Sequence, residues 1–163
     1  MALITTVGGS TSESYATIAE ADLYFIDRNS ATWAALSTDS KEAALRYAAV
    51  HIDGYSFTGA VDNSTQALAW PRYGATSNGW AIDSTTIPQK IKDAQIEAAL
   101  RQATEPLDAD LSSGTVTQKT VGSISVSYSE NTNDGRKNYQ LIDKILKPLL
   151  SGGGRSYHSS NRV

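Results

Sequence analysis

The sequence predicts a mainly α fold, a small bundle of about four helices with one β-hairpin and an extended C-terminal arm. Three observations lead there. Two hydroxyl or acid residues stand at capping-box spacing ahead of apolar runs of helical period, a proline heads a third such run, and residues 115–129 alternate with period two. A chain of 163 residues with 40% hydrophobic side chains is long enough for one core.

The first capping box is Thr17-Ile18-Ala19-Glu20, which opens a helix to about Ile26 with Ala19, Leu23 and Ile26 on its apolar face. Asp39-Ser40-Lys41-Glu42 repeats the device. Ala44, Leu45, Ala48, Ala49 and Ile52 then follow until Gly54 stops the run. Ile87-Pro88 starts the third helix, because the first helical amide needs no partner; Ile91, Ala94, Ala98, Leu100 and Ala103 carry it to Pro106. The hairpin spans about Thr115 to Ser129, with Gly122 supplying a positive φ at its turn. A fourth helix runs from Asn138 to Leu150 through Leu141, Ile142, Ile145, Leu146 and Leu149, and Pro148 limits it. The chain thus divides into a flexible segment 1–13, a helical domain 14–150 and an arm 151–163.

Charge and composition exclude several functions. The net charge of −3 and the isoelectric point near 5.3 argue against a broad basic face for duplex nucleic acid. Without cysteine there is no disulfide, thiolate chemistry or Cys-ligated zinc. The start, MALITTVGGSTSES, lacks the basic and apolar regions of a signal peptide, and no apolar run reaches the length of a membrane span. The expectation is a soluble protein with no membrane partner.

The residues nominate no chemistry. His51 and His158 are the only histidines, and His51 reads as a helix-surface residue. Phosphate-loop, dinucleotide, zincin and nucleophile-elbow motifs are absent, and Gly152 to Gly154 lack the strand and helix of a phosphate loop. Asp108 and Asp110 lie among small residues with no evident acid–base partner. The protein is expected not to be an enzyme and to use no cofactor or metal.

Two features bear on partners. Trp33, Trp70 and Trp80 are either stacking platforms for single-stranded nucleic acid or packing anchors; with only Arg72 and Lys90 near the last two, packing is favoured. The arm, SGGGRSYHSSNRV, carries two arginines and no acid, and is either a disordered end or a segment that orders on a partner.

The order of SYATIAEADLYF (Ser14 to Phe25), Trp33, KEAALRYAAVHID (Lys41 to Asp53), an aromatic with Gly59, QALAWPRYG (Gln66 to Gly74), IPQKIKDAQIEAAL (Ile87 to Leu100) and KTVGSISVSY (Lys119 to Tyr128) resembles the head-tail connector, or adaptor, proteins of tailed bacteriophages. Members of that group are often labelled DnaT-like single-stranded-DNA-binding proteins. The similarity spans roughly Ser14 to Leu150, with Phe57 where tryptophan is frequent and Val61 where a basic residue is frequent.

The resemblance implies a virion structural protein at the head-tail junction, assembled in the host cytoplasm as a twelve-fold ring. Its partners would be further copies of itself, the portal, a downstream tail or stopper protein, and DNA only in transit during genome ejection. It implies a portal-binding arm bearing Arg155, Tyr157, His158 and Arg162. Trp70 and Pro71 would fix a turn, Trp80 with Ile82 would cover the bundle, and Pro88 would start a helix. The alternative is a single-stranded-DNA-binding replication accessory protein.

Overall fold

The computed structural model describes residues 2–107, 118–121, 124–127 and 139–153. Helix α1 spans Ile18–Ile26, α2 Ala31–Ala34, α3 Thr38–Asp53, α4 Gln89–Thr104 and α5 Gln140–Leu146. Three two-stranded antiparallel ladders accompany them: β1 (Ala60–Val61) with β2 (Arg72–Tyr73), β3 (Thr76–Ser77) with β4 (Trp80–Ala81), and β5 (Gln118–Val121) with β6 (Ile124–Ser127). The mainly α architecture with a hairpin is therefore as the sequence predicts. The last ladder pairs Val121 with Ile124, so the expected hairpin is present; its turn, Gly122 included, lies outside the described residues.

Helix α1 starts where its capping box places it. Thr17 Oγ1 accepts the Glu20 amide at 3.2 Å, and Glu20 Oε2 accepts the Thr17 amide at 2.7 Å. Its inward face is Ala21 and Phe25, however, and the predicted face of Ala19, Leu23 and Ile26 points to solvent. The helix has two apolar stripes, and the aromatic Phe25 buries more area than either Leu23 or Ile26 could. Helix α3 is capped by Ser37, whose Oγ accepts the Ser40 amide at 3.2 Å, so the start lies two residues before the expected Asp39. Glu42 does not reach back to a cap; it pairs with Arg46 one turn on, at 3.2 Å. The short α2, unmarked in the sequence reading, buries Trp33 against Phe25 at 5.0 Å between ring centroids.

The core lies where α4 packs on α3 and α5. Ala44, Leu45, Ala48 and Ile52 meet Ile91, Ala94, Ala98, Ile142 and Leu146 there. Small alanines allow close helix approach, and the larger aliphatics fill the space between. Pro88 caps α4, and Glu105, preceding Pro106, is extended at φ −157°, as the proline ring demands. After α5, Pro148 cannot donate to the turn behind it, and the chain tightens into 3-10 turns at Lys147–Leu149 and Ser151–Gly153.

His51 corrects another expectation, since its ring is buried edge-on to Tyr55 and Tyr139 at 5.9 and 5.7 Å. The N-terminal segment makes contacts of its own: the Glu13 amide donates to Ile4 O (2.8 Å), the Ala67 amide to Gly9 O (3.1 Å) and the Arg46 guanidinium to Glu13 (3.1 Å). The Ile4 amide, which donates to Glu13 Oε2 at 3.2 Å, and next Arg46 hold the Glu13 carboxyl below its ordinary pKa.

Candidate functional site

The motif Gln66-Ala67-Leu68-Ala69-Trp70-Pro71-Arg72 forms a knot of polar contacts around one buried indole. Asp53, at the end of α3, accepts the Tyr15 hydroxyl on one oxygen and the Ala69 amide on the other at 3.1 Å. The Tyr15 oxygen in turn accepts the Trp70 amide at 3.3 Å. Burial raises both the Asp53 carboxyl and the Tyr15 hydroxyl above their ordinary pKa values, and the Asp53 charge pushes Tyr15 further. The Trp70–Pro71 peptide is cis. Trp70 is 1% exposed and packs edge-on to Phe57 at 5.6 Å; its indole N–H is buried without a hydrogen-bond partner.

The polar residues of the motif serve the turn as well. Gln66 donates to the carbonyls of Leu68 (2.6 Å) and Pro71 (3.1 Å). Arg72 donates to three more, Thr58 (2.8 Å), Ala69 (3.2 Å) and Gly59 (2.6 Å). Its charge is thus committed to the fold. Gly59 is required here: its φ is +71°, and a Cβ would lie 2.4 Å from Tyr73 O and 2.6 Å from Ala75 N.

Trp70 is buried beside Pro71 and Pro88 stands immediately before α4, whereas Trp80 does not lie over the bundle as expected. It is 81% exposed, at the tip of the β3–β4 hairpin, so it does not cover the bundle. The base of that hairpin, where Ile82 donates to Ala75 O at 2.9 Å, meets the core; the tip projects past it. Asn78 and Gly79 both have positive φ, +51° and +84°, which matches the twist of a tight hairpin and holds Trp80 opposite Ser77. That Asn-Gly pair is the local sequence signal for this hairpin, which the expectation of Trp80 over the bundle leaves out. The arm residues Arg155, Tyr157, His158 and Arg162 lie outside the described residues.

Beyond Trp80, the described surface displays Leu23 and Ile26 on α1, Tyr47 and Val50 on α3, and Tyr73 on β2. Several of its cations are paired within the subunit. Lys41 pairs with Asp22, Arg46 with Glu13 and Glu42, Lys92 with Glu20 and Arg101 with Glu97. Arg28 lies over the Tyr24 ring at 3.4 Å. Burial, with Glu97 as acceptor, pushes the Tyr24 hydroxyl up to about 12. An open cleft of about 370 Å³ lies between α1 and α2, floored by Phe25 and Trp33 and edged by Asp22, Ile26 and Lys41. Among the described residues no group of His, Asp and Glu is placed to hold a metal ion, and no helix is long and apolar enough to cross a membrane.

The family model described as "Putative DnaT-like ssDNA binding protein" matches residues 1–163. No curated protein and no solved structure matches the chain.

Proposed function

This chain belongs to the DnaT-like ssDNA binding protein family; from the order of its sequence motifs and the character of its surface we propose that it acts as a head-tail adaptor of a tailed bacteriophage. In this reading it is a virion structural subunit, not an enzyme. Copies form a ring, twelve-fold by the resemblance, between the portal and the downstream tail or stopper protein, and the genome passes through the channel. The observation that carries the reading is the division of the surface. The outward Leu23 and Ile26 of α1 and Tyr47 and Val50 of α3 suit a protein partner, while Lys41, Arg46, Lys92 and Arg101 are paired within the subunit and Arg72 is spent on carbonyls. An acidic chain of this kind lets DNA pass without holding it. The order of sequence motifs supports the same reading.

Electron microscopy of the purified protein, alone and mixed with portal-bearing heads, tests it. Rings, or added density below the portal, are expected. A protein that stays monomeric and leaves heads unchanged overturns the adaptor reading.

A second reading, a single-stranded-DNA-binding accessory, is favoured by the description of the family and by the exposed Trp80 and Tyr73 rings. It requires salt-sensitive binding of a fluorescent oligonucleotide at about 0.15 M salt. The adaptor reading predicts no binding below micromolar concentration there.

A further inference from the structure

We propose that copies of this chain meet head to tail, the outward stripe of α3 on one copy packing against the outward stripe of α1 on the next, with Tyr47 entering the cleft between α1 and α2. The inference rests on the adaptor reading and names the two faces that join its subunits.

The two stripes have the same spacing and opposite charge beside them. On α1, Ala19, Leu23 and Ile26 stand four and then three residues apart, all exposed; on α3, Ala43, Tyr47 and Val50 repeat the spacing and are also exposed. Three residues after each alanine comes the neighbouring charge, Asp22 on α1 and Arg46 on α3. Asp22 pairs with Lys41, and Arg46 with Glu13 and Glu42, yet their side chains remain 38% and 31% exposed. Packing α3 on α1 therefore brings unlike charges to the seam, whereas α1 on α1 or α3 on α3 would bring like charges together. A contact between two different faces is also what lets subunits close into a ring, since a self-complementary face stops at a pair.

The cleft supplies the matching shape. It shares Ile26 with the α1 stripe, holds about 370 Å³ and is floored by Phe25 and Trp33. Tyr47, 64% exposed, is the largest side chain of either stripe, and a phenol ring suits an aromatic floor with a polar edge. Asp22 provides that edge. Its Oδ1 accepts the Trp33 indole N–H and the Lys41 ammonium, both at 2.8 Å, and among the described residues its Oδ2 takes no bond, so it can accept the Tyr47 hydroxyl of the next copy. Nucleic acid fits the cleft less well, because its phosphates would face the Asp22 carboxylate.

The chain has no cysteine, so crosslinking can be aimed at the seam. Full-length Ala34→Cys, on the cleft wall, and Ala43→Cys, one turn before Tyr47, are assembled on portal-bearing heads, separately and as an equal mixture, and treated with a short bis-maleimide. The mixture should give covalent dimers and each variant alone none. Tyr47→Ala should raise the concentration needed for half-maximal assembly about thirtyfold, the loss typical of an interface anchor, and Tyr47→Phe about tenfold, the loss of one hydrogen bond to a charged group. Both should melt with the parent, because the ring is exposed. If the parent neither forms rings nor adds to heads, the adaptor reading fails and this inference with it. If the parent assembles but the mixture gives no crosslink, or Tyr47→Ala assembles as the parent does, the inference alone is overturned. Covalent dimers of one variant with itself also overturn it and point to a self-complementary contact, as does a Tyr47→Ala defect confined to oligonucleotide binding, which assigns the face to single-stranded DNA.

Discussion

The side chain of Gln95, fully buried on α4, accepts the Tyr15 amide at 3.0 Å and thereby hangs the start of the domain on its central helix. The same oxygen accepts the Ala16 amide at 2.9 Å, and the nitrogen donates to Ser14 Oγ at 2.7 Å and Leu45 O at 2.8 Å. All four bonding positions of the carboxamide are used, and three segments far apart in sequence meet at one group. Gln95→Leu keeps the volume and leaves these backbone groups unpaired. It should cost about 3 to 5 kcal/mol, from roughly 1 to 3 kcal/mol per stranded buried group. Urea unfolding measures it; a loss below about 1 kcal/mol would show that water replaces the amide.

Trp70→Ala should cost about 3 to 5 kcal/mol, the range for removing a large buried aromatic. Because the indole N–H has no partner, Trp70→Phe should lose packing but no hydrogen bond and retain more than half of that stability. Thermal melts of the two variants test this. A Trp70→Ala protein that melts with the parent would place the ring outside the core.

Gly59 and Gly79 give a paired test of backbone strain. Both have positive φ, but a Cβ at Gly59 collides with backbone and one at Gly79 meets open space. Gly79→Ala should cost about 1 to 2 kcal/mol, the left-handed penalty alone. Gly59→Ala should cost at least about 2 kcal/mol more, since overpacking adds to the strain. Equal losses would mean that β1 can slide off β2.

Asp53 makes a signed contribution to acid stability. Burial raises its folded pKa above the unfolded value of 3.8, so its contribution is fully present below that value and is lost as pH rises through the folded pKa. Glu20 acts oppositely. Burial pushes its carboxyl up, but Lys92 and Thr17 more than offset this, so its stabilisation is present above 4.5 and lost as pH falls through its lowered pKa. Removing the titration with Asp53→Asn should therefore make the parent's advantage over the variant grow as pH falls from about 7 towards 4. Unfolding curves at several pH values measure the difference. An advantage that shrinks with acidity would mean that Asp53 is stabilised as its anion.

Truncation separates fold from arm. The Ser151 amide and hydroxyl both bond to Ser56 O, at 2.9 and 3.2 Å, so a chain ending at Leu150 should melt below the parent. One ending at Gly153 should melt with it. Equal melting of the two shortened chains would show that the Ser151 contacts add no stability.

The sequence by itself determined what depends on neighbours in the chain. The Thr17 capping box, Pro88 at a helix start, the alanine and aliphatic spacing of α3 and α4, and the period-two run read at about 115–129, within which the ladder of 118–121 and 124–127 falls, are each set by contacts within a few residues. Trp80 belongs to the same class, since Asn78-Gly79 wrote its hairpin locally. Only the tertiary structure decided which of two stripes on α1 faces inward, that His51 is buried between tyrosines, and that Arg72 serves carbonyls instead of a ligand. Those outcomes depend on which segments converge, as Tyr15 and Trp70 do from 55 residues apart, with Asp53 between them. Periodicity reports that a helix has an apolar side. It carries no information on how many such sides compete for one core, or on which is left at the surface for a partner.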